Sequence, residues 1–327
     1  MKSDARSRHV RLTAPGGPEV LRVEPMTVPE PGPGQILIKV EAAGVAFNDI
    51  STREGLNPGT LPDVLGFDVV GHIEKVGSGV EDVTVGQRVG ALVGTGGYAT
   101  YVLAASHRAA PLPDDHPAEE LDALVLNYLT AWQMFHRTAK PAPGQAVLVI
   151  GAAGGVGSAL CQIARAAGAE VYGTSSRARR ARVEANGATW VPDAAAVPVL
   201  VAATFDPIGG PSLARSRRAT QRSGVVVSYG FSFAVGAGYS KAGALTRTIG
   251  ALVRAKLSPG ARVAMHVVER AVDRDTAGFR ADMTALVEQL RAGALKPEVT
   301  TLPLDRAAEA HRRLENREVD GKLVLIP

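Results

Sequence analysis

Val147-Leu148-Val149-Ile150-Gly151-Ala152-Ala153-Gly154-Gly155-Val156-Gly157 is the stretch on which the fold turns. Residues 146–150 form an unbroken apolar run between Gly144-Gln145 and Gly151, the pattern of a strand covered on both faces. Val156, Leu160, Ile163, Ala164 and Ala167 then recur at helical spacing, and Gly168 is a natural stop. A glycine-rich bend between strand and helix suits a phosphate. Pyrophosphate reaches the main chain only where Cβ atoms are missing, and the helix start offers free N–H groups and a positive dipole end. Ala152 stands where the usual G-x-G-x-x-G begins, so the form is A-x-G-x-x-G. Ala152, Gly154, Gly155, Val156 and Gly157 are therefore expected cofactor contacts, with Gly157 allowing helix and strand to approach closely. The local alternatives are an ordinary glycine-rich turn or a seat for another phosphate ligand; the flanking strand and helix favour a dinucleotide.

The end of the next strand, 170–174, discriminates between cofactors. Sites for NAD place Asp or Glu there to hold the ribose diol. This chain has no acidic residue between Glu170 and Glu184, and offers Ser175, Ser176, Arg177, Arg179 and Arg180. Hydroxyls and guanidinium groups suit a 2′-phosphate, which a carboxylate would repel. The expected cofactor is NADPH, with Ser175, Ser176, Arg179 and Arg180 at its 2′-phosphate and part of the basic run simply solvated.

Working outward, the 327 residues carry 46% hydrophobic residues and a formal charge of +4, enough for about two domains and too mild a charge for a nucleic-acid partner. The single cysteine, Cys161, lies on the apolar face of the expected helix; one cysteine excludes an intrachain disulfide and a four-cysteine zinc lobe. The seven histidines are scattered, with no H-x-x-x-H pair, so no metal site is expected. No run reaches membrane-spanning length and the charged start lacks a signal-type apolar stretch, so no membrane partner and a cytoplasmic location are expected.

Residues 9–110 read as short strands with Gly/Pro punctuation, a β-rich, barrel-like region. The texture changes near 118: alternating helices and strands follow, which is βαβ wiring. The expected division is 1–118 completed by 269–327 as one domain, and 119–268 as a doubly wound, parallel-sheet α/β domain.

Several segments together resemble the medium-chain dehydrogenase/reductase superfamily, most closely its zinc-free quinone oxidoreductase and VAT-like group. They are Pro15-Gly16-Gly17-Pro18-Glu19-Val20-Leu21, Val40-Glu41-Ala42-Ala43-Gly44-Val45, Gly66–Gly71, Gly96-Gly97-Tyr98-Ala99, Thr130-Ala131-Trp132, the glycine bend, Phe205-Asp206-Pro207-Ile208-Gly209-Gly210, Tyr229-Gly230 and Gly321-Lys322-Leu323-Val324-Leu325. The resemblance spans about residue 9 to 327. It implies a GroES-like catalytic domain built from both chain ends, a Rossmann domain between, nicotinamide and substrate in the cleft, and a homodimer through the Rossmann sheet edge. In zinc-dependent relatives a ligand Cys falls at Ala46 and a ligand His at Phe67; neither residue here can bind metal. Relatives often carry Tyr at the positions of Ser51 and Asn57, so a phenol donor is missing from both. The segment 191–205 is also shorter than the family pattern, and a crossover helix is expected to be absent.

The implied reaction is hydride transfer from NADPH to a small apolar quinone or α,β-unsaturated carbonyl. Without zinc, the developing oxyanion needs hydrogen-bond donors. Asn48, Ser51 and Tyr128 are the candidate catalytic groups, with core packing the competing role for Tyr128. Asn127 and Thr130, one helical turn apart, together with Gly230 and Lys322, complete the expected cofactor contacts. Phe47, Phe67 and Phe231 are candidate walls of the substrate site. Other readings of the same fold are a trans-acting enoyl reductase, a non-redox pathway enzyme or a non-catalytic binding protein.

Overall fold

The structure is a computed structural model that describes residues 7–57, 60–230 and 232–327. Short alternating segments separated by Gly- and Pro-rich turns give strands β1 (Arg8–Leu12), β2 (Leu21–Pro25), β3 (Gln35–Val45), β4 (Asp68–Val76), β5 (Arg88–Leu92), β6 (Tyr101–Ala105) and β7 (Ala109–Pro111). The continuous apolar runs further on give β8 (Ala146–Val149), β9 (Glu170–Thr174), β10 (Thr189–Val191), β11 (Val201–Asp206), β12 (Thr220–Ser228) and β13 (Arg262–Met265). The chain closes with β14 (Val299–Pro303) and β15 (Lys322–Ile326).

Two compact units result. One comprises the N-terminal part through Leu126, Glu269–Glu288 and Pro297–Pro327; the other comprises Asn127–Val268 and Gln289–Lys296. In the first, β14-β15-β3-β4-β5-β7 form one sheet, with β6 also pairing β3. β3 occupies its centre, which is why Ile36, Leu37 and Ile38 are all fully buried. The C-terminal strand β15 pairs antiparallel with β3, so both chain ends build this unit, as the resemblance implied. Its core gathers Ile36, Ile38, Val69, Ile73, Leu323 and Leu325.

In the second unit all six strands run parallel in the order β10-β9-β8-β11-β12-β13. This is the doubly wound dinucleotide-binding order: the first strand lies centrally and the winding reverses between β8 and β11, opening a crevice at their carboxyl ends. The strand interiors Val147, Leu148 and Val149 are fully buried, as expected for a sheet covered on both faces. The expected helix over 119–139 forms, with two stretches of wider i→i+5 bonding at Leu124–Tyr128 and Gln133–Ala139.

The crossover from β10 to β11 carries no α-helix. It holds one 3₁₀ turn, Ala194–Ala196, whose start is capped by Asp193 Oδ1 accepting the Ala195 and Ala196 N–H groups at 2.7 and 3.2 Å. Among the described residues no helix is long and apolar enough to cross a membrane.

Candidate functional site

The glycine bend begins where β8 ends. Gly151 has φ +71°, a left-handed conformation that favours glycine, and its N–H donates to Thr174 Oγ1 at 3.2 Å. The Ala152 N–H donates to the Thr174 carbonyl at 2.9 Å and the Gly154 N–H to the Gly151 carbonyl at 2.9 Å. The helix Gly155–Ala166 then starts, and its first internal bond runs from the Ser158 N–H to the Gly154 carbonyl. The Gly155, Val156 and Gly157 N–H groups precede that first bond, so they lack intrahelical acceptors, and no side chain caps the helix start. Three donors at a positive helix end, at the carboxyl edge of the central strand, form an anion seat. A Cβ at Gly157 would lie 2.2 Å from the Gly151 carbonyl oxygen, so the bend closes only with glycine there. A Cβ at Gly230 would lie 2.5 Å from the Pro207 oxygen, which keeps the end of β12 against the turn after β11.

Beside this seat, Ser175 Oγ donates to the Ser176 carbonyl at 3.0 Å, and both serines follow β9 directly. Trp190, on β10, donates its indole N–H to Ser175 O at 3.3 Å and to Ser175 Oγ at 3.2 Å. The Arg180 guanidinium stands over the Trp190 ring, 5.5 Å from its centroid, while its Nε donates to Glu184 at 2.8 Å. Arg182 donates to the Ala153 carbonyl at 3.2 Å and so ties the basic run to the glycine bend. Arg177 is exposed and Arg179 half-buried. Neither Trp190 nor Arg182 was singled out from the sequence. An aromatic between a short edge strand and an arginine-rich helix was the available signal for Trp190; for Arg182 there was none.

Asn127 and Thr130 are buried side by side on the helix, and the Tyr128 hydroxyl donates to Gln162 Oε1 at 3.0 Å. Gln162 Oε1 also accepts the Lys296 N–H at 2.8 Å, so this phenol is engaged in a local packing contact.

In the other unit, the helix Phe47–Arg53 carries Asn48, Asp49 and Ser51. Ser51 Oγ donates back to the Phe47 carbonyl at 3.2 Å. Asn57 Nδ2 donates to Asn48 Oδ1 at 2.9 Å and contacts Thr52 Oγ1 at 2.6 Å. That leaves the half-exposed Asn48 amide NH₂ without a partner among the described residues, oriented by a contact the sequence did not reveal. Asp49 accepts the Ala46 N–H at 2.8 Å and the Gly66 N–H at 3.1 Å, and the Tyr98 hydroxyl donates to it at 3.1 Å. Burial pushes the Asp49 carboxyl up to about 6, partly offset by those backbone donors. Tyr98 also contacts His311 Nε2 at 3.1 Å, and His311 Nδ1 faces Arg53, which pairs with Glu315. Burial, then Arg53, push His311 down to about 3.

Lys322 is held in this same unit. Its ammonium pairs with Asp68 at 2.5 Å and lies 3.8 Å from Asp122, all three groups buried. Burial, then Asp68, push the Asp122 carboxyl well above the usual carboxylate range. Phe47 is 41% exposed and Phe67 is buried; Phe231 lies outside the described residues.

Ala46 and Phe67, at the two positions where zinc-dependent relatives place ligands, have no donor atom. Among the described residues no three His, Cys, Asp or Glu side chains converge as a metal site. The donor set does not fit a catalytic zinc ion, which needs three protein ligands.

Comparison with known proteins agrees with this architecture. Residues 32–114 match the alcohol dehydrogenase GroES-like domain and residues 186–325 match the zinc-binding dehydrogenase family. A 2-haloacrylate reductase from Burkholderia sp is 31% identical over 336 residues, spanning 95% of this chain and 96% of that protein. A synaptic vesicle membrane protein VAT-1 homolog from Rattus norvegicus is 29% identical, spanning 97% of this chain and 83% of that one. The crystal structure of Escherichia coli quinone oxidoreductase complexed with NADPH superposes with a TM-score of 0.84 at 26% identity, covering 98% of this chain and 100% of that one. On the strength of both matched domains, the 3-2-1-4-5-6 strand order and the full-length relatives, this chain belongs to the medium-chain dehydrogenase/reductase superfamily.

Proposed function

We propose that the chain is an NADPH-dependent oxidoreductase that reduces a quinone or an α,β-unsaturated carbonyl without a metal ion. The observation that carries this is the uncapped helix start at Gly155, set beside hydroxyls and arginines with no carboxylate at the end of β9. Similarity to a 2-haloacrylate reductase and to a quinone oxidoreductase complexed with NADPH supports both halves of the reading.

Bound NADPH supplies a hydride from its nicotinamide ring. The chain's own residues bind and orient. The Gly155, Val156 and Gly157 N–H groups receive the diphosphate, and Ser175, Ser176, Arg179 and Arg180 receive the 2′-phosphate, the last after exchanging Glu184 for the incoming anion. On the substrate side, the Asn48 amide donates to the oxygen on which negative charge develops, with Asn57 fixing its orientation. Asp49 holds positions 46 and 66 together and keeps that helix start in place. Ser51 is a weaker donor because its hydroxyl is committed to Phe47, so we assign the final proton to water.

The test is NADPH oxidation with a panel of quinones and enones after exhaustive chelation, with zinc content measured on the same sample. Turnover that survives at sub-stoichiometric zinc supports the reading; tight NADPH binding with no oxidation by any acceptor defeats it. We also propose a homodimer through β13, the outer strand of the parallel sheet, whose last residue, Met265, is 57% exposed. Light scattering across a concentration series checks it, and a strictly monomeric mass rejects it.

A further inference from the structure

The helix Lys241–Leu257 packs inward through Ala244, Ala251 and Leu252, the last two against the cluster of Leu213, Val226 and Ala261. Its outer side is apolar as well. Leu245, Ile249, Val253 and Leu257 are 57%, 51%, 48% and 80% exposed. Placed four residues apart, they step about 40° round the axis each time and sweep a band about 120° wide. Surface helices turn a band of that width towards the core; this one turns it to solvent. A contiguous apolar row in water marks a contact surface.

Charge narrows the partner. The 62 residues between Asp206 and Glu269 contain no Asp or Glu and nine Lys or Arg. The other 27 Lys and Arg share the rest of the chain with all 32 acidic residues, so positive charge is concentrated in this region. Arg247 and Arg254, about two helical turns apart, are exposed along one flank of the band. The Arg247 guanidinium stands over the Tyr239 ring, 5.0 Å from its centroid, and Arg254 Nε donates to the Gly250 carbonyl at 3.3 Å. Neither contact neutralises the cation.

We propose that this helix seats the protein on an anionic lipid surface. It lies in the headgroup plane, with Leu245, Ile249, Val253 and Leu257 entering the acyl boundary and the cations beside the headgroup charges. A span is not needed for this: the 17-residue helix is about 25 Å long and lies flat, and among the described residues no helix could cross a membrane. The other occupants fit less well. A second copy seated band to band would set one acid-free region against another. A nucleic acid answers the charge but offers no apolar surface to four aliphatic side chains. Edge pairing at β13 leaves the band open, because the helix lies over the face of the sheet and its outer side points away from it. The proposal is independent of the reductase reading; its failure would leave NADPH oxidation in free solution untouched.

Co-flotation of the full chain with vesicles of phosphatidylcholine and about one-third phosphatidylglycerol tests it, with pure phosphatidylcholine vesicles as the charge control. Binding to the anionic vesicles alone, falling as salt is raised, is expected. Arg247→Gln/Arg254→Gln should weaken it about tenfold, and Ile249→Asp/Val253→Asp at least as much. All four side chains are exposed, so both variants should melt with the parent protein. A second readout leaves the band's charge unaltered. An environment-sensitive fluorophore on Val253→Cys should shift to the blue on anionic vesicles. The same label on Ala166→Cys, exposed on the helix that right-handed crossovers put on the opposite face of the sheet, should not. The native Cys161 is buried and stays unlabelled. No binding to anionic vesicles, equal binding to neutral ones, unchanged binding in both variants or equal shifts at both labels would overturn the proposal. So would a fall in oligomeric mass in Ile249→Asp/Val253→Asp with vesicle binding intact, which assigns the band to a second copy. Binding of duplex DNA in preference to vesicles, insensitive to that variant, would assign the charge to a nucleic acid and overturn it too.

Discussion

Alanine at two glycines of the same bend should give opposite phenotypes. At Gly157 a new Cβ would sit 2.2 Å from the Gly151 oxygen and 2.9 Å from both Ala152 Cα and Gly151 C. All three are backbone atoms, so no side chain can turn aside and the helix start must move away from β8. Overpacking of this kind costs about 1–3 kcal/mol, against which Gly→Ala inside a helix returns about 1 kcal/mol. Because the contacted atoms are backbone, the upper part of that range applies, about 2–3 kcal/mol, and the net loss of about 1–2 kcal/mol corresponds to roughly 2–8 °C in melting temperature for a domain of this size. At Gly154 the nearest atom to a new Cβ is the Gly151 oxygen at 3.4 Å, an ordinary contact, and φ is −85°. Gly154→Ala should therefore fold with a loss below about 1 kcal/mol, set by its N-cap position. Its methyl group nevertheless stands where a diphosphate must approach the main chain. Losing one or two charge-assisted bonds of about 1.5–3 kcal/mol should weaken NADPH by at least about tenfold. Thermal melts and NADPH fluorescence titration on the two variants separate the effects. Gly157→Ala melting with the parent protein, or Gly154→Ala binding NADPH as tightly as the parent, would refute the assignment.

Other residues give independent checks. Trp190→Leu removes the N–H bonded to Ser175 and the ring under Arg180; about 1.5–2 kcal/mol of hydrogen-bond and cation–π energy is at stake. NADPH affinity should fall about tenfold with NADH affinity nearly unchanged, whereas equal losses would show only a structural role. Lys322→Met leaves the Asp68 carboxylate buried and unpaired, so denaturant titration should show about 3–5 kcal/mol lost, and adding Asp68→Asn should restore most of it. If the second change restores nothing, the ion pair is not the cause. Burial holds His266 down at about 4 against an ordinary 6.5, so it folds neutral. Its contribution is fully present above pH 6.5 and is lost as pH falls towards 4, by up to about 3 kcal/mol; His266→Phe should flatten that part of the stability profile. An unaltered acid-side slope in the variant would count against it. Asn48→Ala should lower kcat about 10²-fold while leaving NADPH binding intact, and unchanged turnover would remove Asn48 from the oxyanion role.

What the sequence made legible is what is local. The bend at 151–157 announces itself because strand, turn and helix signals are consecutive, and the steric reason for Gly157 lies six residues away at Gly151. The missing carboxylate after β9 is local in the same sense, whereas the shortness of 191–205 shows only against the family pattern. The Lys322–Asp68–Asp122 cluster is not, because its members are up to 254 residues apart and meet only when β15 pairs with β3. The resemblance suggested Lys322 as a cofactor contact, yet its ammonium is enclosed by carboxylates. Trp190 reaches Ser175 only because β10 pairs with β9 in a register that sets Trp190 opposite Gly173. Tyr128 was legible as a helical residue, but its bond to Gln162 depends on how two helices pack, which spacing along one helix does not encode.

Hydride transfer itself can be followed with NADPH deuterated at one prochiral position of nicotinamide C4 and a simple enone. We expect one prochirally labelled cofactor, and not the other, to deliver a single deuterium to the β-carbon of the product, with zinc chelated throughout. Product carrying no deuterium from either labelled cofactor, or reduction that stops on chelation and returns with zinc, would contradict the metal-free hydride-transfer reading.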